Sequence, residues 1–492
     1  MKPILWAIGL MSGASAVSVV LGLVTAKITA SVLGPAGVGL LGLLQSTVGL
    51  AVIGAMTGGV SAGMVRDVSR ARADGDARAE ASAIAGAWRL CLGFAIGMAT
   101  AMVLGRSALA RVFLGDVERS SAVVPLAAAM FLTAVTTVQV GVISAYHQIG
   151  RVARINISNS VAGPLILVPL VLMWQAPALP WVVLGGSVAT AAASAFWYPR
   201  DALGPLASLA YAGAPGTVPA ASRRLLRFAL PFNVSAMAGT GVQLAMPVIV
   251  LHALGGAAVG FFRAAAGISL TYLAFLQSAL GQDYYPRLAA CGDDRLRVAR
   301  LVDDQMRAML LVAGPIILVI LAAAPVLVPL IYTRDFVPAV ALLEWQLAGD
   351  VLRVAAITMG FGVLARAGSG AFLTIELVNG CVTLALSLLG VRVGGLSGLG
   401  LAFFASSAAA AIVNAVALRR VAGTTVAGRT VLLLGAYTAA ALLVRAISSA
   451  GAGAAGTLAA GVVALAGVAL SLRSLWTEVE GWRGIRKLFR PA

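Results

Sequence analysis

The length of its uncharged stretches limits this chain more than any other feature. No Asp, Glu, Lys or Arg lies between Lys27 and Arg66, nor between Arg154 and Arg200. One crossing of a bilayer takes about 20 mainly apolar residues, so each of these stretches is long enough to span a membrane. Hydrophobic residues make up 60% of the 492-residue chain and charged residues 11%, against roughly a quarter charged in a soluble domain. The ten-residue alternation of a membrane β-barrel is absent. The chain therefore reads as an all-α polytopic membrane protein. Fourteen transmembrane helices are expected: twelve in two pseudo-symmetric six-helix bundles, plus a C-terminal pair.

A net charge of +17 invites a nucleic-acid reading. The basic residues sit beside apolar runs, as the excess of Lys and Arg in cytoplasmic loops requires, and form no patch on a soluble domain. Nucleic acid is not expected as a partner. Cys91, Cys291 and Cys381 are odd in number and far apart, without metal-ligand spacing, and read as packing residues. His147 and His252 each close an apolar run and are too scattered for a metal site. No Walker A motif is present, so ATP is not the direct energy source. No catalytic residue, metal or cofactor is expected, and the chain reads as a non-enzyme.

The runs at 4–32 and 38–65 lead into Arg66, Arg70, Arg72 and Arg78, which places that loop in the cytoplasm. Runs at 81–104, 122–147, 155–174 and 181–198 complete an N-terminal six-helix bundle over residues 1–198. A linker rich in Pro, Gly, Ala and Ser follows at 199–227 and closes on Arg223, Arg224 and Arg227. Runs at 228–253, 258–284, 308–332, 339–364, 368–390 and 395–418 make a second bundle, 228–418. The extra pair occupies 430–472, with Arg445 near an outer end and expected to snorkel. The tail, 473–492, sets Trp476, Val479, Trp482, Ile485 and Phe489 against Arg473, Arg483, Arg486, Lys487 and Arg490. That spacing predicts an amphipathic segment on the inner membrane surface. Both termini are expected in the cytoplasm. The first run is too long for a cleavable signal.

The chain also repeats itself. Leu33-Gly34-Pro35-Ala36-Gly37-Val38-Gly39 returns as Leu254-Gly255-Gly256-Ala257-Ala258-Val259-Gly260, each between two apolar runs. The same offset carries Arg66 onto Arg287, and both open a charged loop. A shared turn, a run of matching length and a shared basic exit predict a duplicated half, an organisation common in transporters.

Chemistry then rests on ionisable residues inside apolar runs, which by default face a cavity or a partner. Lys27, Arg263 and Arg353 are candidates for holding an anionic headgroup, since arginine in particular binds phosphate bidentately. Snorkelling to the outer headgroups is the other reading of Lys27 and Arg263. Glu344, Asp350 and Glu376 are candidates for ion coupling. Asp350 and Arg353 stand three apart, so a self-neutralised pair on one helix face is equally open. Arg66, Asp283 and Arg287 would sit at the cytoplasmic mouth, either as a gate or as ordinary topology anchors. Two Asn-x-Ser triplets, Asn156–Ser158 and Asn233–Ser235, fall at the starts of runs and carry no glycosylation meaning.

Leu33-Gly34-Pro35-Ala36-Gly37-Val38-Gly39-Leu40-Leu41-Gly42-Leu43-Leu44-Gln45-Ser46, with Gln282-Asp283-Tyr284-Tyr285-Pro286-Arg287-Leu288, resembles the Wzx-type polysaccharide flippases. This group includes the O-antigen and enterobacterial common antigen translocases of the multidrug/oligosaccharidyl-lipid/polysaccharide (MOP) superfamily. The likeness covers residues 4–420. It implies two six-helix bundles that alternate access and move an undecaprenyl-pyrophosphate-linked oligosaccharide from the inner to the outer leaflet of the bacterial inner membrane. The partners implied are that lipid-linked glycan and membrane lipids, with a polysaccharide polymerase and a chain-length regulator as further candidates. The C-terminal pair is similar to that of the related lipid II flippases. Those carry cavity-lining basic residues on helices one, two and eight; Lys27 and Arg263 match by helix, whereas helix two has no basic residue before Arg66. A lipid II flippase and a multidrug/cation antiporter of the same superfamily are the alternatives. The antiporter predicts acids in the N-terminal helices, yet none precedes Asp67. A membrane glycosyltransferase or polymerase would need an external acidic motif, and only Asp116, Glu118 and Asp335 are available outside.

Overall fold

The computed structural model describes residues 2–211, 216–280, 284–291, 294–423, 425–450 and 454–478. Among these the regular structure is all helical. Ten helices are long and apolar enough to cross a membrane. The amphipathic tail beyond Glu478 lies outside the described residues.

The helices divide between two compact units, Met1–Gly260 and Phe261–Ala492. The first contains α1 (Lys2–Gly54), α2 (Thr57–Ala73), α3 (Ala77–Leu104), α4 (Val123–Ala145), α5 (Ile149–Trp174), α6 (Leu179–Phe196), the short α7 (Pro205–Ala210) and α8 (Thr217–Leu254). Helix α9 runs over Gly256–Ala279 and the short α10 over Tyr285–Ala289. The second unit continues with α11 (Arg295–Ile331), α12 (Pro338–Ala422), α13 (Gly428–Ala450) and α14 (Ala454–Glu478). Arg223, Arg224 and Arg227 thus belong to the start of α8.

The two longest elements are several helices joined at glycines. Helix α1 bends at Gly34 (φ 62°, ψ −169°). Helix α12 is broken at Gly368 and again at Gly394–Gly395, which makes three segments, each long enough for a crossing at 1.5 Å per residue. Counted between these breaks, the helices are consistent with fourteen crossings.

The repeat is visible in the backbone. Gly255 (φ 85°, ψ 176°) adopts the conformation of Gly34, a region that residues bearing a Cβ avoid. The two turns also touch. A Cβ on Gly39 would come within 2.6 Å of the Gly256 carbonyl oxygen, and one on Gly260 within 1.9 Å of the Pro35 carbonyl oxygen. Gly256 and Gly260 are four apart, the small-xxx-small spacing that lets helix backbones close on each other in lipid. Here the contacting segments are the two copies of the repeated turn.

Packing in the first unit centres on Trp88, fully buried among Met64, Val138, Leu225 and Ala229 of α2, α4 and α8. Its indole Nε1 donates to the Tyr198 hydroxyl (3.4 Å), which donates to the Leu203 carbonyl (2.8 Å). Arg89 donates to the Leu209 and Tyr211 carbonyls at the end of α7. At the ends of α2, α3 and α4, Tyr146 donates to Glu80 (2.5 Å), and Arg72 pairs with Glu80 (3.1 Å) while lying 3.9 Å from the Tyr146 ring centre. Burial, reinforced by the bond to Glu80, raises the Tyr146 pKa well above its ordinary value.

In the second unit, α13 and α14 are fastened to the bundle. The Tyr437 ring covers Gly314 of α11, and its hydroxyl meets Ser471 of α14. Asp303 of α11 accepts the Ala427 amide (2.9 Å) just before α13 begins.

A side chain at Gly260 must displace backbone, and overpacking of this kind costs about 1–3 kcal/mol. Gly260→Val should therefore lower the melting temperature of the detergent-purified protein measurably. Gly163→Ala, where a Cβ meets nothing within 4 Å, should leave it near wild type.

Candidate functional site

Three polar arrangements inside the apolar helices are built from side chains of different elements. The first is a break. Between α1 and α2 the backbone turns left-handed at Met56 (φ 58°, ψ 13°), an uncommon conformation for a residue with a Cβ. A break within a bilayer span frees carbonyls that water is not there to satisfy. Asn233 of α8, buried, bridges to the break: its Nδ2 lies 3.2 Å from the Met56 carbonyl, which also accepts the Val60 amide (3.1 Å), and 2.7 Å from the Ala229 carbonyl. Thr57 donates to the Val52 carbonyl (3.2 Å) across the same gap.

The second arrangement surrounds Asp350, which is wholly buried in the first segment of α12. Ser269 (2.5 Å) and Tyr272 of α9 both donate to its Oδ2. Among the described residues its Oδ1 has no hydrogen-bond partner, nor has Oε1 of buried Gln346, one turn earlier. Two donors on one oxygen suit a carboxylate, and the open second oxygen leaves room for a proton or a small cation. Among the described residues no ion pair joins Asp350 to Arg353, although helical spacing allowed one. The half-buried Arg353 guanidinium lies 5.8 Å from the Phe403 ring centre instead.

The third lies at the basic end of α2. Asp67 accepts from Arg66 on Oδ1 (2.9 Å) and from Arg224 of α8 on Oδ2 (2.8 Å). Arg66 also stacks over Phe228 of α8 at 4.6 Å. Both arginines are more than half exposed, so each pair contributes about 0–1 kcal/mol. Arg66 thus joins a weak ion-pair cluster between α2 and α8.

The remaining candidates are dispersed. Lys27 is exposed on the α1 face that also exposes Leu23 and Val24. Arg263 is half-buried in α9. Glu344 is buried and accepts a hydrogen bond from Ser448 of α13 (2.6 Å). Arg445, one turn from Ser448, lies 3.8 Å from the Trp345 ring centre. This pairing ties α13 to α12. Glu376 is exposed beside Leu377 and Val378, and Arg287 is exposed on α10. Asp283 lies outside the described residues. Sequence alone points to neither Ser269 nor Tyr272, and to Asn233 only as part of an Asn-x-Ser triplet.

Against known proteins, residues 28–341 match the family profile described as polysaccharide biosynthesis protein. No curated protein matches. Among solved structures, the lipid II flippase MurJ in its inward closed conformation is similar at 10% identity and a TM-score of 0.72, over 96% of this chain and 99% of that one. A multidrug resistance MATE family transporter of the MOP superfamily, inward-facing, is similar at 15% identity and 0.71, over 87% and 98%. A MOP superfamily transporter from Pyrococcus furiosus is similar at 16% identity and 0.59, over 87% and 96%. At these identities the likeness is one of fold.

Asn233→Leu removes the side-chain hydrogen bond that joins α8 to the break, and such a bond contributes about 0.5–1.5 kcal/mol net. The variant should melt several degrees below wild type in detergent. Asp350→Asn, which keeps an acceptor for Ser269 and Tyr272, should melt near wild type, whereas Asp350→Leu should not.

Proposed function

Because this chain belongs to the polysaccharide biosynthesis protein family, we propose that it moves a prenyl-pyrophosphate-linked oligosaccharide from the inner to the outer leaflet of a bacterial cytoplasmic membrane. The family match over residues 28–341 carries the reading. The fold agrees with it, since structures of this shape include a flippase and transporters. The physical task is plain. A charged, sugar-bearing headgroup cannot cross hydrocarbon unaided, because a buried charge without partners costs far more than binding returns. The prenyl tail needs no such help.

Arg263 and Arg353, both of the second unit, are the cations assigned to the pyrophosphate. Asp350 is the group assigned to coupling, because its carboxylate is wholly buried and holds one oxygen open. Filling that oxygen with a proton or a small cation neutralises the carboxylate and shifts the balance between two conformations by the difference in its affinity for them. The clasp of Arg66 and Arg224 on Asp67 is weak enough to open and close with each cycle. A drug/cation antiporter would share this fold. Against it, the first acidic residue of the chain, Asp67, is already held by two arginines.

Deletion of the gene should cause undecaprenyl-linked glycan to accumulate on the inner leaflet, measured by lipid extraction and mass spectrometry. Wild type should clear it, and Asp350→Asn, though folded, should clear it at least tenfold more slowly. No accumulation, with altered drug sensitivity instead, would overturn the reading.

A further inference from the structure

Helix α5 is exposed on two opposite sides. One side shows Val161, Leu165 and Leu172, at 42%, 68% and 62% exposure, spaced four and seven apart. This is the lipid-facing stripe of a membrane helix. The other side carries Asn156, Asn159, Ser160 and Gly163, spaced i, i+3, i+4 and i+7, with both asparagines exposed. Asn159 and Val161 are two residues apart, so their directions differ by roughly 200° at 3.6 residues per turn. The asparagine stripe therefore points away from the lipid stripe.

The neighbouring helices extend the same polar face. Thr190 of α6 donates to Asn159 Oδ1 (2.6 Å), and Ser187, one turn earlier, shares a hydrogen bond with Thr133 of α4 (3.3 Å). On α6 the exposed apolar residues Trp181 and Val188 stand on the far side from Thr190. The face opens onto free space: a Cβ at Gly163, or at Gly186 of α6, would meet no atom within 4 Å. All of these residues belong to the first unit.

Depth makes the pattern informative. Asn159 lies four residues past Ile155, where the charge-free run begins, or roughly 6 Å along a helix rising 1.5 Å per residue. The polar face continues inward to Ser187, about 14 Å from the end of α6 at Phe196, within a hydrocarbon layer about 30 Å thick. An exposed amide facing lipid at that depth would cost several kcal/mol. The face must then look onto a water-filled space. It holds no formal charge, so it is not built for a phosphate. Asn side chains both donate and accept, and Ser and Thr hydroxyls do likewise, which matches the mixed donors and acceptors of sugar hydroxyls.

Resting on the proposed function above, we infer that Asn156, Asn159, Ser160 and Thr190 form the surface that contacts the neutral glycan of the lipid-linked substrate. The pyrophosphate is bound elsewhere. The site therefore discriminates glycan-bearing lipid from bare lipid through uncharged hydrogen bonds.

The test compares two probes on the purified full chain by native mass spectrometry: undecaprenyl pyrophosphate, and the same lipid carrying a disaccharide. Wild type should bind the glycan-bearing probe about tenfold more tightly, the equivalent of one or two net hydrogen bonds. Asn156→Leu/Asn159→Leu should lose that advantage while binding the bare lipid as wild type does. Asn156→Ala, which only truncates an exposed side chain, is measured in parallel and should lose part of it. Variants that keep the wild-type ratio, or a wild type that binds both probes alike, overturn the glycan surface. A wild type that binds neither probe overturns the proposed function itself.

Discussion

Hydrocarbon offers no hydrogen bonds, so every polar group at membrane depth must find a partner in the protein or a water-filled space. This constraint governs the whole chain. Hydroxyls on the spans bond back to the carbonyl one turn earlier, as Thr29 does to Thr25 and Thr47 to Leu43. Where the helical ladder is interrupted at Met56, the Thr57 hydroxyl takes the Val52 carbonyl and an amide from another helix bridges to the Met56 carbonyl. Where a carboxylate is buried at Asp350, two hydroxyls from another helix converge on it. The second Asp350 oxygen, without a hydrogen-bond partner among the described residues, satisfies the rule only in part.

The glycines supply the complementary requirement of close approach and sharp turning. Gly34 and Gly255 make the same turn, and Gly39 and Gly260 allow the two turns to meet at backbone distance. A duplicated motif has thus become a contact between its own copies. In lipid, where apolar burial gives helices little reason to associate, such close packing is a main source of cohesion.

Much of this was legible in the sequence. The charge-free intervals marked the spans, because ionisable residues are costly there. The seven-residue repeat marked the special turns, because few residues besides glycine tolerate them. Partnerships across helices were not legible. The spacing of Asp350 and Arg353 suggested a local pair, yet the carboxylate is met by hydroxyls 81 and 78 residues away in the chain. Glu344 found its partner in Ser448, 104 residues on. The Met56 break carries no glycine at its left-handed residue, so its own type did not announce it. The stripe of Asn156 and Asn159 sat in a run whose average hydropathy hid it; only exposure on two opposite faces of α5 reveals it.

Movement of the headgroup between leaflets can be measured in reconstituted vesicles. Vesicles would carry an undecaprenyl-pyrophosphate-linked oligosaccharide with a fluorophore on the sugar, quenched from outside by a membrane-impermeant reductant. In protein-free vesicles about half the signal, that of the inner leaflet, is protected. With the protein present, and an ion gradient imposed if exchange requires one, the protected half should become accessible. Protection that remains at the protein-free level, in vesicles where the same protein moves a cationic dye, would contradict it.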